Sequence, residues 1–573
     1  MNRPAPYTFF QRLAAAYFFA FSALLPLKAG SLVIADSVGL WHPNIIGWVV
    51  SPWPWAIFYP AAGLALILNA LAFPIKLKKA PGVMYLATFA LIAFTAVAGF
   101  INSPERWTAV VLSVHLWALW GYLWALFLLI WHRREARYAV IGAWSIGIAV
   151  AILAGLHQYF WGFEQELKHI ADNDMQVSNE LIARIKDRRT HAPFDLTNSL
   201  AGFLLLAVPI IGYGLWRAGK HVHPQRFSQI LFAGVGVCSG TILFLTTRSR
   251  AAFLAAIIAL AVVAILKINN LKLRIVVGLC LAIALIGGAF FVVNSERGAA
   301  TMGYRLDYFR VATETTQSHP FAGAGWGGFR YEYMLNKGNN TFEAPQDPHN
   351  VILALSSQAG IIPGVLMLLL LAMPVIATLR RRKTSWEEAV LLFALLGFTV
   401  HALAEVHLVV PAIMALMLTT GALLLSYDSA GEPARRPLWL GVIIGVAIIA
   451  AGVYILRADY YRYQLSELPR NRPHSELVRA HEKAVAAMPW SSSPYLAAAA
   501  RSTNDNASQK WLERAKEITP QDPFTYLRIM QLQLARNRYQ EAQESLNEAR
   551  KRFPNTWLLE GTPDEVAKRL RER

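Results

Sequence analysis

The sequence contains few charged residues and very few cysteines. Charged residues make up 16% of its 573 residues, whereas a soluble domain carries about 25%. This deficit excludes an ordinary soluble globular chain, whose surface would need more charge. The two cysteines, Cys238 and Cys280, both lie in apolar runs. The sequence therefore offers neither a disulfide framework nor a thiolate metal site.

Acidic residues are also scarce relative to basic ones, and the formal net charge is +18. In a soluble protein such a charge would suggest binding to nucleic acid. Here most of the basic excess lies in short loops between long apolar runs, which is typical of orientation in a membrane. We therefore interpret the charge as a topology signal and expect no nucleic-acid partner.

Long apolar runs occupy most of the chain, and each is long enough to cross a bilayer core of roughly 30 Å. We predict an all-α, polytopic membrane protein with about 13 transmembrane helices. The approximate runs are 12–30, 53–74, 83–101, 107–131, 138–161, 197–216, 229–247, 251–266, 274–294, 352–379, 388–405, 408–426 and 438–456. The first run lacks a clear cleavage site, so we predict a retained helix and not a signal peptide.

The loops between these runs alternate in charge. Basic clusters occur in every second loop, at 76–79, 133–137, 217–226, 267–274, 380–383 and 435–436. The positive-inside rule assigns these loops to the cytoplasm. Counting from a cytoplasmic N-terminus, the odd number of spans places the C-terminal tail outside. The same count places three further segments outside, namely 162–196, 247–251 and 295–351.

After about residue 457 the composition changes to that of a soluble helical segment. Leu512 and Leu546, like Pro520 and Pro554, stand about 34 residues apart, which is the tetratricopeptide period. We predict a transmembrane domain over 1–456 and a tetratricopeptide-like helical-repeat domain over 457–573. Such repeats would form a concave surface for a protein partner. A generic helical hairpin is the alternative.

Two arginines, Arg248 and Arg250, lie at the predicted outer ends of two spans, against the positive-inside rule. A guanidinium presents a planar fork that suits phosphate oxygens. At the membrane edge such a pair can hold the diphosphate of a lipid carrier. The alternative is that both side chains merely snorkel to the headgroup level.

The long outer loop carries Arg305 and a glycine-rich segment, Gly323 to Gly328, that follows His319 and Pro320. The glycines match G-x-G-x-x-G, but that motif indicates a dinucleotide site only between a strand and a helix. We reject that interpretation and expect a flexible turn whose backbone approaches a substrate. We interpret His319 as structural because His-Pro is typical of a turn.

His349 lies where this loop enters a predicted membrane helix, between Asp347 and Asn350. A histidine titrates near neutral pH and can take a proton from a hydroxyl nucleophile. The alternative is a histidine at a helix start that merely bonds to backbone. We predict that Asp347 and Asn350 line the substrate site.

Further polar residues occur at the predicted outer ends of spans. Asn198 opens the sixth span and can either cap the helix or bind a ligand. His401, Glu405 and His407 lie near the outer end of the eleventh span, and ionisable groups at membrane depth are functional candidates. Their spacing favours a lining role over catalysis and shows no definite metal-ligand pattern, so we predict no metal site.

Taken in order, these features resemble the O-antigen ligase and polymerase family of bacterial membrane glycosyltransferases, the Wzy/WaaL type. The matching pieces lie within roughly residues 190–425. Their order, their spacing and their predicted position on the same side of the membrane together make the resemblance specific. They are Phe194 to Ala201, Thr247 to Arg250, Arg305, His319 to Phe329, His349 with Asn350, and Gln358 to Gly364.

The resemblance implies a C-type glycosyltransferase fold in the bacterial inner membrane with a large periplasmic loop, and the span count then makes the C-terminal domain periplasmic. It also implies transfer of a sugar chain from undecaprenyl diphosphate to a hydroxyl of a lipid, glycan or protein acceptor, without cofactor or required metal. By the same resemblance, Arg250 and Arg305 bind the diphosphate, Arg248 assists, and His349 activates the acceptor. Attack from the opposite face would invert the anomeric centre.

Asp347 and Glu343 are two further candidates for the base that activates the acceptor. Two departures from the family pattern leave the acceptor open. The simplest lipid A-core ligases lack the repeat domain, and Gln358 stands where the family has a glutamate before Gly360.

Several other functions fit parts of the sequence. A polymerase that lengthens a lipid-linked glycan and a protein O-oligosaccharyltransferase are alternatives within the same chemistry. A transporter would also be polytopic, but we see no inverted repeats of the kind typical of transporters. A membrane-anchored repeat scaffold would explain the tail but not the outward arginines.

The charge alternation predicts that residues 460–573 lie outside the cytoplasm. A fluorescent protein that fails to mature after export through the Sec route is expected to stay dark when fused after Arg573. The same reporter fused to a chain truncated after Lys220 should fluoresce, because that loop is predicted to be cytoplasmic. Bright fluorescence from the full-length fusion would contradict the topology.

Overall fold

The structure is a computed structural model, and it describes most of the chain. The described residues are 7–33, 41–42, 44–77, 80–173, 179–268, 270, 272–273, 275–279, 296–338, 344–381, 384–405, 407–426, 431–433, 438–469, 472–552, 554 and 559–571. Most of the predicted ninth span, 274–294, lies outside these residues, as does Glu343.

Helices account for nearly all of the regular structure in the described residues. The first group is α1 (Phe9–Lys28), α2 (Ile45–Val50), α3 (Phe58–Ala72), α4 (Pro81–Thr95), α5 (Arg106–His132), α6 (Ala136–His157), α7 (Phe163–Asp172), α8 (Asn179–Lys186), α9 (Thr197–Gly219), α10 (Gln225–Thr247) and α11 (Arg250–Lys267). The second group is α12 (Glu296–Ser318), α13 (Phe329–Asn336), α14 (Val351–Ala359), α15 (Ile361–Leu379), α16 (Trp386–Ala402), α17 (Pro411–Leu425) and α18 (Trp439–Ser466). The C-terminal group is α19 (His474–Ala487), α20 (Ser493–Arg501), α21 (Asp505–Ile518), α22 (Pro523–Leu534), α23 (Tyr539–Arg552) and α24 (Pro563–Arg571).

Ten helical segments among the described residues are long and apolar enough to cross a membrane. They contain α1, α3, α4, α5, α6, α9, α10, α11, α15 and α18. The shorter α16 and α17 coincide with two more of the predicted runs. The all-helical, polytopic class is thus confirmed, apart from two three-residue strands, β1 (Ile75–Leu77) and β2 (Gly431–Pro433), that pair antiparallel. The full count of 13 spans stays a prediction.

Helix α17 is too short to span a bilayer comfortably, with 15 residues. All of them are buried, because α5, α9, α15 and α16 surround the helix. A helix enclosed by protein makes little contact with lipid, so its length need not match the hydrocarbon thickness.

A buried tyrosine ties four helices of the membrane domain together. The hydroxyl of Tyr122 on α5 lies 3.2 Å from the Ser22 hydroxyl and 3.0 Å from the Thr419 hydroxyl. The Trp144 indole N–H donates to the same oxygen at 3.2 Å. A buried polar group is stable only with such partners, so this hydroxyl holds α1, α6 and α17 against the central α5.

The predicted span 352–379 is wrong in one respect, because it is two helices and not one. The chain breaks at Gly360, whose φ is +101°, a conformation that strongly favours glycine. A Cβ there would lie 2.2 Å from the carbonyl oxygen of Phe321. The Ile361 N–H donates to the Pro320 carbonyl at 2.8 Å, so the segment predicted to lie outside the membrane, 295–351, hereafter the external loop, packs into the break.

Loops that the charge alternation assigns to the same side of the membrane contact each other in the structure. Among the external segments, the Leu32 N–H donates to the Asp195 carboxylate at 2.7 Å. Among the cytoplasmic ones, Lys267 donates to the Thr384 carbonyl at 2.7 Å, and β1 pairs with β2. The structure therefore groups the loops as expected, while the side of the membrane that each group faces stays a prediction.

The C-terminal helices are joined to the membrane domain in two ways. Helix α18 runs without a break across the predicted boundary at 456/457. One hydrophobic cluster contains Tyr308 and Phe329 of the external loop together with Met530 and Leu546 of the C-terminal helices. The external loop and this domain thus share a core. The tetratricopeptide assignment stays a prediction.

Candidate active site

A buried carboxylate, Glu405, connects three separated parts of the chain. It lies in the turn between α16 and α17 and is 4% exposed. Its Oε1 accepts a hydrogen bond from the Asn198 amide at 2.7 Å and contacts the Arg305 guanidinium in an ion pair. Its Oε2 lies 3.4 Å from Nδ1 of His349. The structure therefore brings four of the predicted site residues into one cluster.

The partners of Glu405 keep it ionised. Burial by itself raises the pKa of this carboxyl, but the hydrogen bond from His349 and the charge of Arg305 lower it further than burial raises it. The pKa of Glu405 is thus below its ordinary value. Removing one partner from a buried ionised carboxylate strongly destabilises the fold, because the charge is left uncompensated. The attraction between Glu405 and its partners therefore holds the cluster together.

His349 is presented to the cluster by an unusual local backbone. Its φ is +52°, a conformation that costs a residue other than glycine roughly 1–3 kcal/mol. The Asp347 carboxylate accepts the His349 N–H at 2.7 Å in an Asx turn, which supports that conformation. The imidazole stacks on the Tyr308 ring at 5.7 Å between centroids. Backbone and ring contacts thus fix where the imidazole lies.

The pKa of His349 is raised above its ordinary value. Burial lowers it, but the hydrogen bond to Glu405 and the negative charge of Asp347 together outweigh burial. The pKa of Asp347 is also above its ordinary value, because burial disfavours the charged form of a carboxyl group. Because the imidazole side chain is still 31% exposed, protons can be exchanged between His349 and a bound molecule.

A cavity of about 290 Å³ opens beside the cluster, and His349 and Asp347 form part of its wall. Leu32, Leu112 and Leu408 supply an apolar side of the same cavity. A concave site with a few convergent polar groups is where a ligand is expected to bind.

The glycine-rich turn supports the cavity wall. Gly323, Gly325 and Gly327 all have positive φ. A Cβ on Gly325 would lie 2.1 Å from the backbone nitrogen of Ser103, so this glycine permits close packing against protein. Gly327 lines the cavity, and its N–H donates to the Gln358 side chain at 2.9 Å. Gly327 thus faces the cavity, whereas Gly325 faces protein, and the approach of a substrate to this turn stays a prediction.

Asn350 acts as a helix cap in the structure. Its side-chain oxygen accepts the Ile352 N–H at 3.0 Å and the Leu353 N–H at 3.1 Å. Its amide donates to the Leu403 carbonyl at 3.0 Å. These bonds attach the start of α14 to the turn that carries Glu405. A substrate-lining role for Asn350 stays a prediction.

The two arginines between α10 and α11 lie outside the Glu405 cluster. Arg248 is exposed and pairs with Asp187 at 3.0 Å, and Arg250 is exposed at the first position of α11. Ala252 packs in one cluster with Ala201, so the start of α11 lies beside the start of α9. Arg250 is therefore on the side of the cluster that carries Asn198.

Two buried histidines, His401 and His407, lie close to Glu405. His401 Nδ1 is 2.8 Å from His407 Nε2, and both side chains are buried. A Cβ on Gly202 would lie 2.4 Å from the His407 ring, so this glycine makes room for the pair. The described residues contain no group of three or more His, Cys, Asp or Glu side chains suited to a metal ion. Metal independence stays a prediction.

Sequence reasoning gave Glu405 too small a role. Its position near the end of a span predicts a lining role, whereas in the structure it is the residue that connects the others. An acidic residue at the end of a span, flanked by two histidines, was the available signal. Its partners lie 207, 100 and 56 residues away along the chain, so spacing could not reveal the pairing.

The fold and the site define a multi-pass helical membrane protein with a carboxylate, an arginine and a histidine beside a cavity. Residues 235–369 match the family model Wzy_C, described as O-antigen ligase. The matched segment contains His349 and the three predicted diphosphate-binding arginines, and it excludes Glu405. The match supports the O-antigen ligase family and, with it, ligase-type glycan transfer. A comparison with curated proteins gave no significant match.

Replacing Glu405 by glutamine tests its positioning role. We expect Glu405→Gln to lower the rate of glycan transfer at least about tenfold, because a hydrogen bond to a charged group contributes roughly 1.5–3 kcal/mol. The pKa of His349 should fall as well, since the carboxylate raises it. If neutral His349 is the base, activity rises as the pH passes its pKa, and this rise should move to lower pH in the variant.

The measurement is the pH dependence of the transfer rate with purified protein. Glu544→Gln, an exposed position on α23, serves as the matched control and should leave the profile unchanged. An unshifted profile in Glu405→Gln would contradict a role for Glu405 in setting the proton affinity of His349.

Proposed function

We propose that this protein transfers a glycan from an undecaprenyl-diphosphate carrier to an acceptor hydroxyl at the outer face of the bacterial inner membrane. The observation that supports this function best is that Glu405 holds Arg305 and His349 in one cluster. Glycan transfer from a lipid diphosphate needs a cation for the leaving group and a base for the acceptor. Here the cation, Arg305, and the base, His349, both contact the carboxylate of Glu405.

In this proposal Arg305 binds the diphosphate of the donor. A guanidinium carries five N–H donors, so a contact with one oxygen of Glu405 leaves donors for phosphate oxygens. Arg250, at the start of α11, adds a second fork from the side of the cluster that carries Asn198, with Arg248 assisting. Fixed cations stabilise the negative charge that develops on the leaving group. The lipid tail of the donor stays in the bilayer.

His349 acts as the base. With Nδ1–H donating to Glu405, the other ring nitrogen, Nε2, can accept the proton of the acceptor hydroxyl. The acceptor oxygen forms a bond to the anomeric carbon while the bond from that carbon to the phosphate oxygen breaks. The electron pair leaves with the diphosphate, and the proton remains on His349. Attack opposite the leaving group inverts the anomeric centre.

The charge compensation in this scheme comes from arginine side chains, so the proposal includes no metal ion. Asp347 is the second candidate for the base, because it too lines the cavity. Its carboxylate already accepts the His349 N–H, which favours a role in positioning His349.

Variants expressed in a strain that lacks the chromosomal gene test this function. The deletion, His349→Ala and Arg305→Ala should all accumulate lipid-linked polymer and lack glycan on the acceptor. Arg305→Lys should restore little, because lysine keeps the charge but loses the planar fork. Arg250→Ala should also reduce transfer strongly. Purified His349→Ala should still bind the lipid-linked donor, since its arginines remain.

His319→Ala is the control. His319 is exposed just after the end of α12, and this variant should retain transfer if the protein is made at a normal level. Accumulation of single repeat units in the deletion strain would indicate a polymerase. Glycan missing from proteins alone would indicate protein glycosylation. Wild-type transfer by both His349→Ala and Arg305→Ala would refute the proposed chemistry.

A further inference from the structure

A second cavity lies between the external loop and the C-terminal helices. Its volume is about 210 Å³. Three residues, Glu105, Arg330 and Tyr331, line both this cavity and the one beside His349. The two cavities are therefore neighbours that share a wall, and together they extend from His349 to the C-terminal domain.

The side chains of the second cavity have the chemistry of a sugar-binding site. Asp522, Arg528 and Gln531 provide a carboxylate, a guanidinium and an amide, and Ser493 provides a hydroxyl. Such groups can donate and accept several hydrogen bonds at once, as the hydroxyls of a sugar require. The ring of Tyr331 adds an apolar surface with a polar tip. This lining is less suited to a lipid tail, which needs apolar walls.

The position of this cavity relative to the site is fixed by packing. The Ser491 hydroxyl donates to the Glu105 carboxylate at 2.7 Å, and the Phe100 and Trp490 rings meet edge to face. The hydrophobic cluster shared by the external loop and the C-terminal helices lies beside it. A molecule bound in both cavities would therefore be held in register with His349.

We propose that the two cavities form one extended site for an oligosaccharide acceptor. The sugar that carries the reacting hydroxyl occupies the cavity beside His349, and the sugars behind it occupy the cavity at the C-terminal helices. This inference rests on the proposed function. The acceptor is assigned here, and not the donor, because His349 lines the first cavity, whereas Arg305, which pairs with Glu405, is not among the described residues that line it.

Photo-crosslinking tests the occupant directly. Full-length protein with a benzophenone amino acid at Gln531 would be irradiated in membranes of the deletion strain, where unmodified acceptor accumulates. We expect a crosslinked species that reacts with a carbohydrate-specific label, and it should also form in membranes of a strain that cannot make the lipid-linked donor, where only the acceptor supplies sugar. The same substitution at Glu544, exposed on α23, should give none. A crosslinked species that gains the mass of a second protein chain and carries no sugar, or no crosslink at Gln531, would overturn the inference.

Kinetics provide a second test with a defined probe, lipid A-core extracted from the deletion strain. We expect Arg528→Ala to raise the acceptor KM about tenfold, as for the loss of one charged hydrogen bond, with kcat nearly unchanged. Core truncated to its innermost sugars should show no difference between wild type and variant. Arg514→Ala, an exposed arginine on α21, is the matched control.

The outcomes separate the two proposals. If wild-type protein transfers glycan but Arg528→Ala behaves as Arg514→Ala does, the extended acceptor site is wrong and the proposed function stands. If wild-type protein transfers glycan to another acceptor but not to lipid A-core, the inference is likewise wrong and the proposed function stands. If it transfers glycan to no acceptor, the proposed function fails, and the inference fails with it.

Discussion

An ionised carboxylate buried at the end of a membrane helix is stable only when cations and hydrogen-bond donors surround it. Glu405 obtains these partners from three distant segments, through Asn198, Arg305 and His349. If the external loop moved away, the carboxylate would lose its charge partner. The same electrostatic requirement that stabilises this part of the fold therefore places a cation and a base next to each other.

The segments around this cluster keep it in position. The break at Gly360 admits the loop after α12, and the glycine-rich turn packs against the connection between α4 and α5. The C-terminal helices complete the core of the external loop. Packing thus rigidifies the elements that carry Arg305 and His349, which is what a preorganised site for charge development needs. The raised pKa of His349 follows from the same arrangement, because the carboxylates that hold the imidazole also favour its protonated form.

Much of the fold could be predicted from the sequence, because apolar run length and loop charge respond directly to the bilayer. Arg305 and His349 could be singled out by their position at an external boundary. The central role of Glu405 could not, since its partners come from segments far apart in the chain. The break at Gly360 was missed because the run on both sides is uniformly apolar, so hydropathy shows one span. Asn350 was ambiguous because an asparagine at a helix start can cap the helix or bind a ligand, and in the structure its side chain caps α14.

The central claim is that Glu405 and His349 act as one unit in glycan transfer. The most direct test is a double-mutant cycle on the transfer rate of purified protein, with Glu405→Gln, His349→Ala and the double variant. Residues that act as a unit show strongly non-additive losses. We predict that Glu405→Gln causes a much smaller loss once His349 is alanine than in the wild-type protein, and that the loss that remains reflects its contact with Arg305. Losses that multiply across the two substitutions would show that the residues act independently and would contradict the account.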